Sequence, residues 1–409
     1  MNFKSIFGNI SVLMTGTVIA QLIPILFSPI LTRIYTPAEF GMLAVFMSCS
    51  NIFSIFANFR LDTAIMSAEN EKEKKILKNL SLIFTLAFSL ILILALIIFA
   101  DFFKEVYSGI NYLYIIIFVP LFIILYGITQ LFTYICNSYG QYTIISKSKI
   151  DKNLSMTFIQ VILGFCKMGV KGLLIGMVLC FFFPIYRMKK CVGMEKVSYN
   201  FRDYILVLSK YKKYPLVSTS TAFMDTFANE APILFMNKFI NSDTVGFFDL
   251  ARRTVFVPLS FISVSISQVY LKQITEENSG KNNLKLTLYI LMGLLLLSAG
   301  IAPFFIFWGD TVFAIVFGEN WRVVGEYLKI LIFPFLIRFI VSPISVVFLR
   351  PKNILIGSTW QFFHLVISVL ISIVFLNKGI EIYLVAFAIS EVIAYLLYLV
   401  LILYAVKRT

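Results

Sequence analysis

The residues best placed to do chemistry in this chain are charges set inside apolar sequence. Arg60 and Asp62 share one apolar stretch, Asp225 and Glu230 another, and Asp249, Arg252 and Arg253 a third. Arg338, His364 and Glu391 each lie in a later one. A charge within a membrane-spanning helix is costly and normally faces a cavity or a partner. The planar fork of arginine gives two charge-assisted hydrogen bonds to a phosphate. Arg60, Arg252, Arg253 and Arg338 are therefore candidate ligands for a large, phosphate-bearing anion. Asp62, Asp225, Asp249 and Glu391 are candidates to pair with them or to carry a coupling ion, H⁺ or Na⁺.

Spacing refines these roles. Asp249 stands three and four residues before Arg252 and Arg253, where an intrahelical ion pair can form. One arginine is then neutralised and the other left over, and spacing does not say which faces the cavity. Arg338 lies between Pro334 and Pro343, and prolines in spans often mark backbone that lines a cavity. Asp225 follows Pro215 by about 15 Å of helix, which puts it near mid-membrane. Arg60 is about 28 Å along the axis from Gly41, near the inner surface. His364 is the only histidine and suits a neutral, hydrogen-bonded packing role, as does Glu391.

Enzyme signatures are missing. There is no GxxxxGK[ST] loop, no HExxH and no CxxC. One histidine and five scattered cysteines offer neither a metal set nor a disulfide framework. The expectation is no enzyme, no metal and no cofactor beyond a coupling ion.

The elements that must position these charges follow from composition. Of 409 residues, 59% are hydrophobic and 14% charged, and the mean hydropathy is +0.90. No soluble core uses that much apolar surface, so the chain is an all-α polytopic membrane protein. It has no room for a large soluble catalytic, nucleotide-binding or receptor domain. Apolar stretches fall near 9–34, 40–66, 79–100, 112–135, 154–170, 172–187, 214–239, 245–270, 286–308, 324–348, 354–376 and 382–405, giving about twelve transmembrane helices. The stretch from Ile10 to Ile34 is too long for a signal peptide and reads as the first span.

The net charge of +14 would suggest nucleic acid in a soluble protein. Here it reads first as topology. Placing both termini in the cytoplasm puts most of the 35 Lys and Arg in loops on that side, among them Lys72, Lys74, Lys75, Lys78, Lys147, Lys149 and Lys152. The outside loops, near 101–111, 240–244, 309–323 and 377–381, are short. Segment 188–213 is basic and contains Tyr199, Phe201, Tyr204, Ile205 and Leu208. It reads as a cytoplasmic amphipathic linker lying on anionic lipid, between six-helix bundles at 1–187 and 214–409.

The two halves share a sequence trace. Pro24-Ile25-Leu26-Phe27 reappears as Pro232-Ile233-Leu234-Phe235, and each is followed by a polar turn and a Gly–Phe pair, Phe40-Gly41 and Gly246-Phe247. Paired six-helix repeats around a cavity are a transporter architecture.

These strings also resemble a known family. Gly16 to Pro24 followed by Ser28 to Gly41 is similar to the N-terminal signature of Wzx-type oligosaccharide flippases, of the multidrug/oligosaccharidyl-lipid/polysaccharide (MOP) exporter superfamily. Arg60-Leu61-Asp62-Thr63-Ala64-Ile65 resembles that family's Arg-x-Glu/Asp-x-Ala-Ile pattern, and Gly172-Leu173-Leu174-Ile175-Gly176 its sixth-helix start. Tyr214-Pro215, Pro232-Ile233-Leu234, Gly246 to Arg253, Pro258-Leu259 and Ser267 to Tyr270 are similar to its seventh and eighth helices. The motifs cover roughly 1–280, and the rest follows by pattern. One departure is two basic residues, Arg252 and Arg253, where the family often has one.

The resemblance implies two six-helix bundles arranged as a V, MATE-like, opening alternately to each side. It implies transfer of undecaprenyl-pyrophosphate-linked oligosaccharide, an O-antigen or capsule repeat unit, across a bacterial inner membrane by ion coupling. It also implies a cationic lumen, with Arg60 and Arg252 or Arg253 at the matching positions; Arg338 is supported by location alone. Implied partners are the lipid-linked glycan, anionic lipid, a polysaccharide polymerase and a chain-length regulator, with no nucleic acid. The rivals are a multidrug or cation antiporter, with a more acidic cavity, and a Wzy-like polymerase, with a long outside loop. A fourteen-helix peptidoglycan-precursor flippase does not fit 409 residues comfortably.

Overall fold

The structure, a computed structural model, describes residues 3–107, 109–192, 200–276, 280–349 and 353–407. It is built of α-helices: α1 (Phe3–Ile34), α2 (Pro37–Ser54), α3 (Leu61–Ala64), α4 (Glu71–Ile98), α5 (Ala100–Val106), α6 (Tyr112–Ser138), α7 (Tyr142–Phe165), α8 (Val170–Leu179), α9 (Phe182–Val192) and α10 (Phe201–Lys210). After these come α11 (Thr219–Phe239), α12 (Ser242–Ala251), α13 (Val257–Glu276), α14 (Gly280–Phe317), α15 (Arg322–Val341), α16 (Ile354–Phe375) and α17 (Ile380–Lys407). Among the described residues, 9 stretches are long and apolar enough to cross a membrane. The helices α2, α7 and α11 complete the expected set of spans. They fall short on apolarity because they carry polar and charged groups, Asn51, Lys149, Lys152, Asp225 and Glu230 among them.

The chain divides into two compact units, one of Met1–Tyr35 with Met42–Glu230, the other of Thr36–Gly41 with Ala231–Thr409. The first part of α11, up to Glu230, therefore clusters with unit 1.

In unit 1, α1 packs along α7. Small residues let the backbones approach: a side chain on Gly16 would collide with Ser146. Asn153 Nδ2 donates to Ala20 O at 2.6 Å, and Tyr35 Oη donates to Gln160 O at 2.7 Å. Leu61, Ile65, Ile76, Leu77, Leu131, Met188 and Val207 pack into one apolar cluster of this unit. Unit 2 has its own core of Tyr270, Val341, Ile344, Trp360, Tyr398 and Ile402.

Several expected boundaries shift. The stretch 40–66 is not one helix: α2 ends at Ser54 and the chain unwinds to Arg60 before α3. The fifth span begins at Tyr142 rather than 154, so Lys147, Lys149 and Lys152 are helical and not in a loop. The 172–187 stretch breaks at Cys180–Phe181 between α8 and α9. The 245–270 stretch holds a π-turn over Arg252–Phe256, where Pro258 withholds the next backbone donor. The expected loop at 309–323 is largely helix, because α14 runs on to Phe317.

Of segment 188–213, residues 193–199, including Lys196 and Tyr199, lie outside the described residues, as do Arg350, Lys352 and Arg408. Residues 188–192 complete α9, and Phe201–Lys210 forms α10, whose two sides differ. Tyr204, Val207, Leu208 and Tyr211 pack on the unit 1 cluster, while Phe201, Ile205 and Leu206 are exposed. Lys72 pairs with Asp203 at 3.0 Å, and Lys210 with Glu69 at 2.8 Å and Glu73 at 2.7 Å, pinning α10 to the start of α4.

Candidate substrate cavity

The unwound segment after α2 opens a polar cavity of about 250 Å³ inside unit 1. Its wall includes Asn51, Ser54, Asn58, Arg60, Asp62, Tyr126, Gln130, Tyr134, Thr226 and Glu230. Phe59 and Arg60 both adopt left-handed backbone, with φ of 46° and 60°. Such conformations cost non-glycine residues about 1–3 kcal/mol each and cluster at functional sites.

Asn58 holds the turn. Its Nδ2 donates to Gly127 O at 3.0 Å and to Asp62 Oδ2 at 3.3 Å, and its Oδ1 accepts from Thr85 Oγ1 at 2.5 Å. Asp62 also accepts from the Thr63 backbone N–H at 2.9 Å. Glu230, also on the cavity wall, accepts from Ser48 Oγ at 2.7 Å and from Asn51 Nδ2 at 3.1 Å. Both carboxylates are thus buried and bonded to neutral donors. Arg60 is half-buried, and among the described residues no carboxylate lies within ion-pair distance of it. The geometry leaves a cation facing polar space, able to take an anion by two parallel N–H bonds.

The other predicted residues are distributed as follows. Asp225 is exposed on α11 and has no ion-pair partner among the described residues. Asp249, 1% exposed, is shared by Arg253 at 2.6 Å and Arg252 at 3.7 Å. Neither Asp249 oxygen has an aligned hydrogen bond, so the contact is an ion pair without N–H directionality. Both arginines are therefore held by one carboxylate. The structure does not single out one as left over. Arg338 lies over the rings of Phe256 and Tyr395, at 4.9 and 5.7 Å from their centroids. Tyr395 also abuts His364, which stacks on Trp360 and meets Glu391 Oε1 through Nε2 at 2.8 Å. The structure thus groups Arg338, His364 and Glu391 in unit 2, and Arg60 with Asp62 and Glu230 in unit 1.

Comparison with known proteins decides the family. The model of the polysaccharide biosynthesis protein family matches residues 30–326. This chain belongs to that family. No curated protein matches it by sequence. Its fold is similar to that of the lipid II flippase MurJ in an inward closed conformation, with TM-score 0.73, 16% identity, and coverage of 98% of this chain and 87% of that one. It is also similar to an outward-facing multidrug resistance MATE transporter of the MOP superfamily, with TM-score 0.62, 12% identity, and 98% and 96% coverage. A MOP superfamily transporter from Pyrococcus furiosus gives TM-score 0.61, 13% identity, and 98% and 96% coverage. This polysaccharide biosynthesis protein is thus a multi-pass, all-α membrane protein with the fold of flippases and transporters.

Sequence reasoning missed most of the cavity wall of this family member. Asn51, Ser54, Asn58, Gln130 and Thr226 are neutral, and neutral polar residues occur in many spans. The available signal was their density: Asn51, Ser54 and Asn58 recur at helical spacing just ahead of Arg60.

Proposed function

We propose that this protein is a flippase carrying an undecaprenyl-diphosphate-linked oligosaccharide, an O-antigen or capsule repeat unit. Transfer runs from the cytoplasmic to the periplasmic leaflet of a bacterial inner membrane, by alternating access coupled to H⁺ or Na⁺. The observation that carries this reading is Arg60, a cation on the wall of a polar cavity with no carboxylate within ion-pair distance among the described residues. A polysaccharide biosynthesis protein must handle a glycan, and the similarity to a lipid II flippase adds a lipid-linked one. Arg60 binds the diphosphate, and Arg252, Arg253 and Arg338 serve later positions of the same anion. Asp62, Asp225, Asp249 and Glu391 pair with them or carry the coupling ion. Both termini are cytoplasmic, and the exposed side of α10 rests on anionic lipid. A polymerase and a chain-length regulator receive the product. Deleting the gene and analysing lipid-linked intermediates tests this: a single accumulated repeat unit supports flipping, and loss of every intermediate points to an earlier step.

A second reading, a multidrug or cation antiporter, draws on Asp62 and Glu230, which place two carboxylates in the same cavity. That reading requires Arg60→Ala to preserve or improve cation export; the flippase reading requires it to abolish glycan transfer.

A further inference from the structure

Helix α7 is polar on the inside and apolar on the outside. Its exposed side carries Leu154, Phe158, Ile162 and Phe165. Its buried side carries Ile145, Ser146, Ser148, Met156, Thr157 and Gln160. At 3.6 residues per turn, Lys149 and Lys152 fall within the arc of that buried side, whereas Lys147 points out and is exposed. A helix that hides its polar side in a membrane protein faces something other than lipid.

Neither buried-side lysine is neutralised. Lys149 Nζ donates to Thr17 Oγ1 at 2.9 Å, and Lys152 Nζ lies 4.3 Å from the centroid of the Phe181 ring. Among the described residues no carboxylate is within ion-pair distance of either. Asp151, between them in sequence, is engaged by Arg187. Phe181 in turn meets Tyr126 edge-on at 6.3 Å, and Tyr126 lines the Arg60 cavity. Lys152 thus stands two aromatic rings, Phe181 and Tyr126, from the cavity, and Lys149 lies one helical turn before it; each is held by a neutral partner that an anion can displace or join.

We infer that Lys149 and Lys152 form a second anion-binding station in unit 1, which takes an anionic oxygen group of the transported molecule. The ligand chemistry is a diphosphate or a sugar carboxylate, both of which a lysine binds as a compact point charge. This rests on the flippase reading and deepens it. Arg60 and the lysine pair together give unit 1 two stations, so a substrate with two separated anionic groups is held at both.

The test is binding of two soluble probes to the purified full-length protein: farnesyl diphosphate, and a uronic-acid oligosaccharide set against its neutral counterpart. The variants are K149Q, K152Q and the exposed control K147Q, with K152R as a charge-preserving variant should the glutamine substitutions fail to fold. About tenfold weaker binding of farnesyl diphosphate in K149Q or K152Q, with K147Q and K152R unchanged, supports the station and assigns it the diphosphate. A loss confined to the uronic-acid oligosaccharide supports it and assigns the sugar acid. Unchanged binding of both probes in folded variants, or an equal loss in K147Q, overturns the station and leaves the flippase reading standing. Failure of the wild-type protein to bind either probe overturns both.

Discussion

Gly41 and Gly246 touch backbone to backbone within unit 2. A Cβ on Gly41 would stand 1.7 Å from Ser242 O and 3.1 Å from Gly246 N. A Cβ on Gly246 would stand 2.1 Å from Pro37 O and 3.2 Å from Gly41 N. The contact is reciprocal: each glycine meets the residue four before the other. The starts of α2 and α12 therefore cross in a reciprocal backbone contact.

Gly41→Ala and Gly246→Ala each force backbone apart and should cost about 1–3 kcal/mol, the usual range for overpacking. Gly293→Ala, where nothing lies within 4 Å, should be neutral or stabilising. Thermal unfolding of the purified variants checks this. Equal behaviour of all three would contradict the close approach.

Arg60 stores backbone strain at the cavity. Arg60→Gly should leave melting temperature unchanged or raised, since glycine takes left-handed backbone without penalty, while removing the cation and stopping glycan transfer. Arg60→Ala keeps the strain and should also lose transfer. Surface glycan and protein level, measured together, separate the two effects.

Asn58 binds three partners around the same turn. Asn58→Ala removes the bonds to Gly127 O, Asp62 and Thr85 together, and should cost about 1–3 kcal/mol. Denaturation of the purified variant reads this. A change below that range would mean the turn is held by other contacts.

His364 and Glu391 are almost fully buried together, with side-chain exposures of 6% and 7%. Removing one partner leaves a polar group stranded, so His364→Ala should be markedly destabilising. A double-mutant cycle with Glu391→Gln should give a coupling of about 0.5–3 kcal/mol. Additive losses would show that the pair does not act as a unit.

The α10 latch carries a pH expectation. Hydrogen bonds from Lys210 to Glu69 and Glu73 raise the lysine pKa above its ordinary value. A raised lysine contributes fully below its unfolded pKa and loses its contribution only as pH rises through the folded one. The protection factor of α10 amides, exchange relative to the unfolded-chain rate at each pH, should therefore be insensitive to this lysine from pH 6 to about 9 and fall in strong alkali. Lys210→Met should lower the protection factor across the whole range.

What the sequence made legible depended on how strongly each feature departs from apolar background. The spans were readable because sustained hydropathy is unambiguous. Arg60, Asp62, Asp249 and Glu391 were readable because a charge in such a stretch is costly. The break after Ser54 was not, because Asn58 and Phe59 carry no Gly or Pro signal and the turn is held by tertiary bonds to Thr85 and Gly127. Lys149 and Lys152 read as loop cations in the sequence because the polar side of α7 lowers its hydropathy below that of a span. The helical recurrence of Ser146, Lys149, Asn153 and Gln160 was the signal to use.

The most direct test of the central claim is reconstitution of the purified protein into vesicles with a prenyl-diphosphate-linked oligosaccharide on one leaflet. Transfer is read by the accessibility of the glycan to a lectin or glycosidase outside. The account predicts that an imposed H⁺ or Na⁺ gradient drives transfer with wild-type protein and that Arg60→Ala, equally folded, shows none. Equal transfer by wild-type protein and Arg60→Ala, or none above empty vesicles under either gradient, would contradict it.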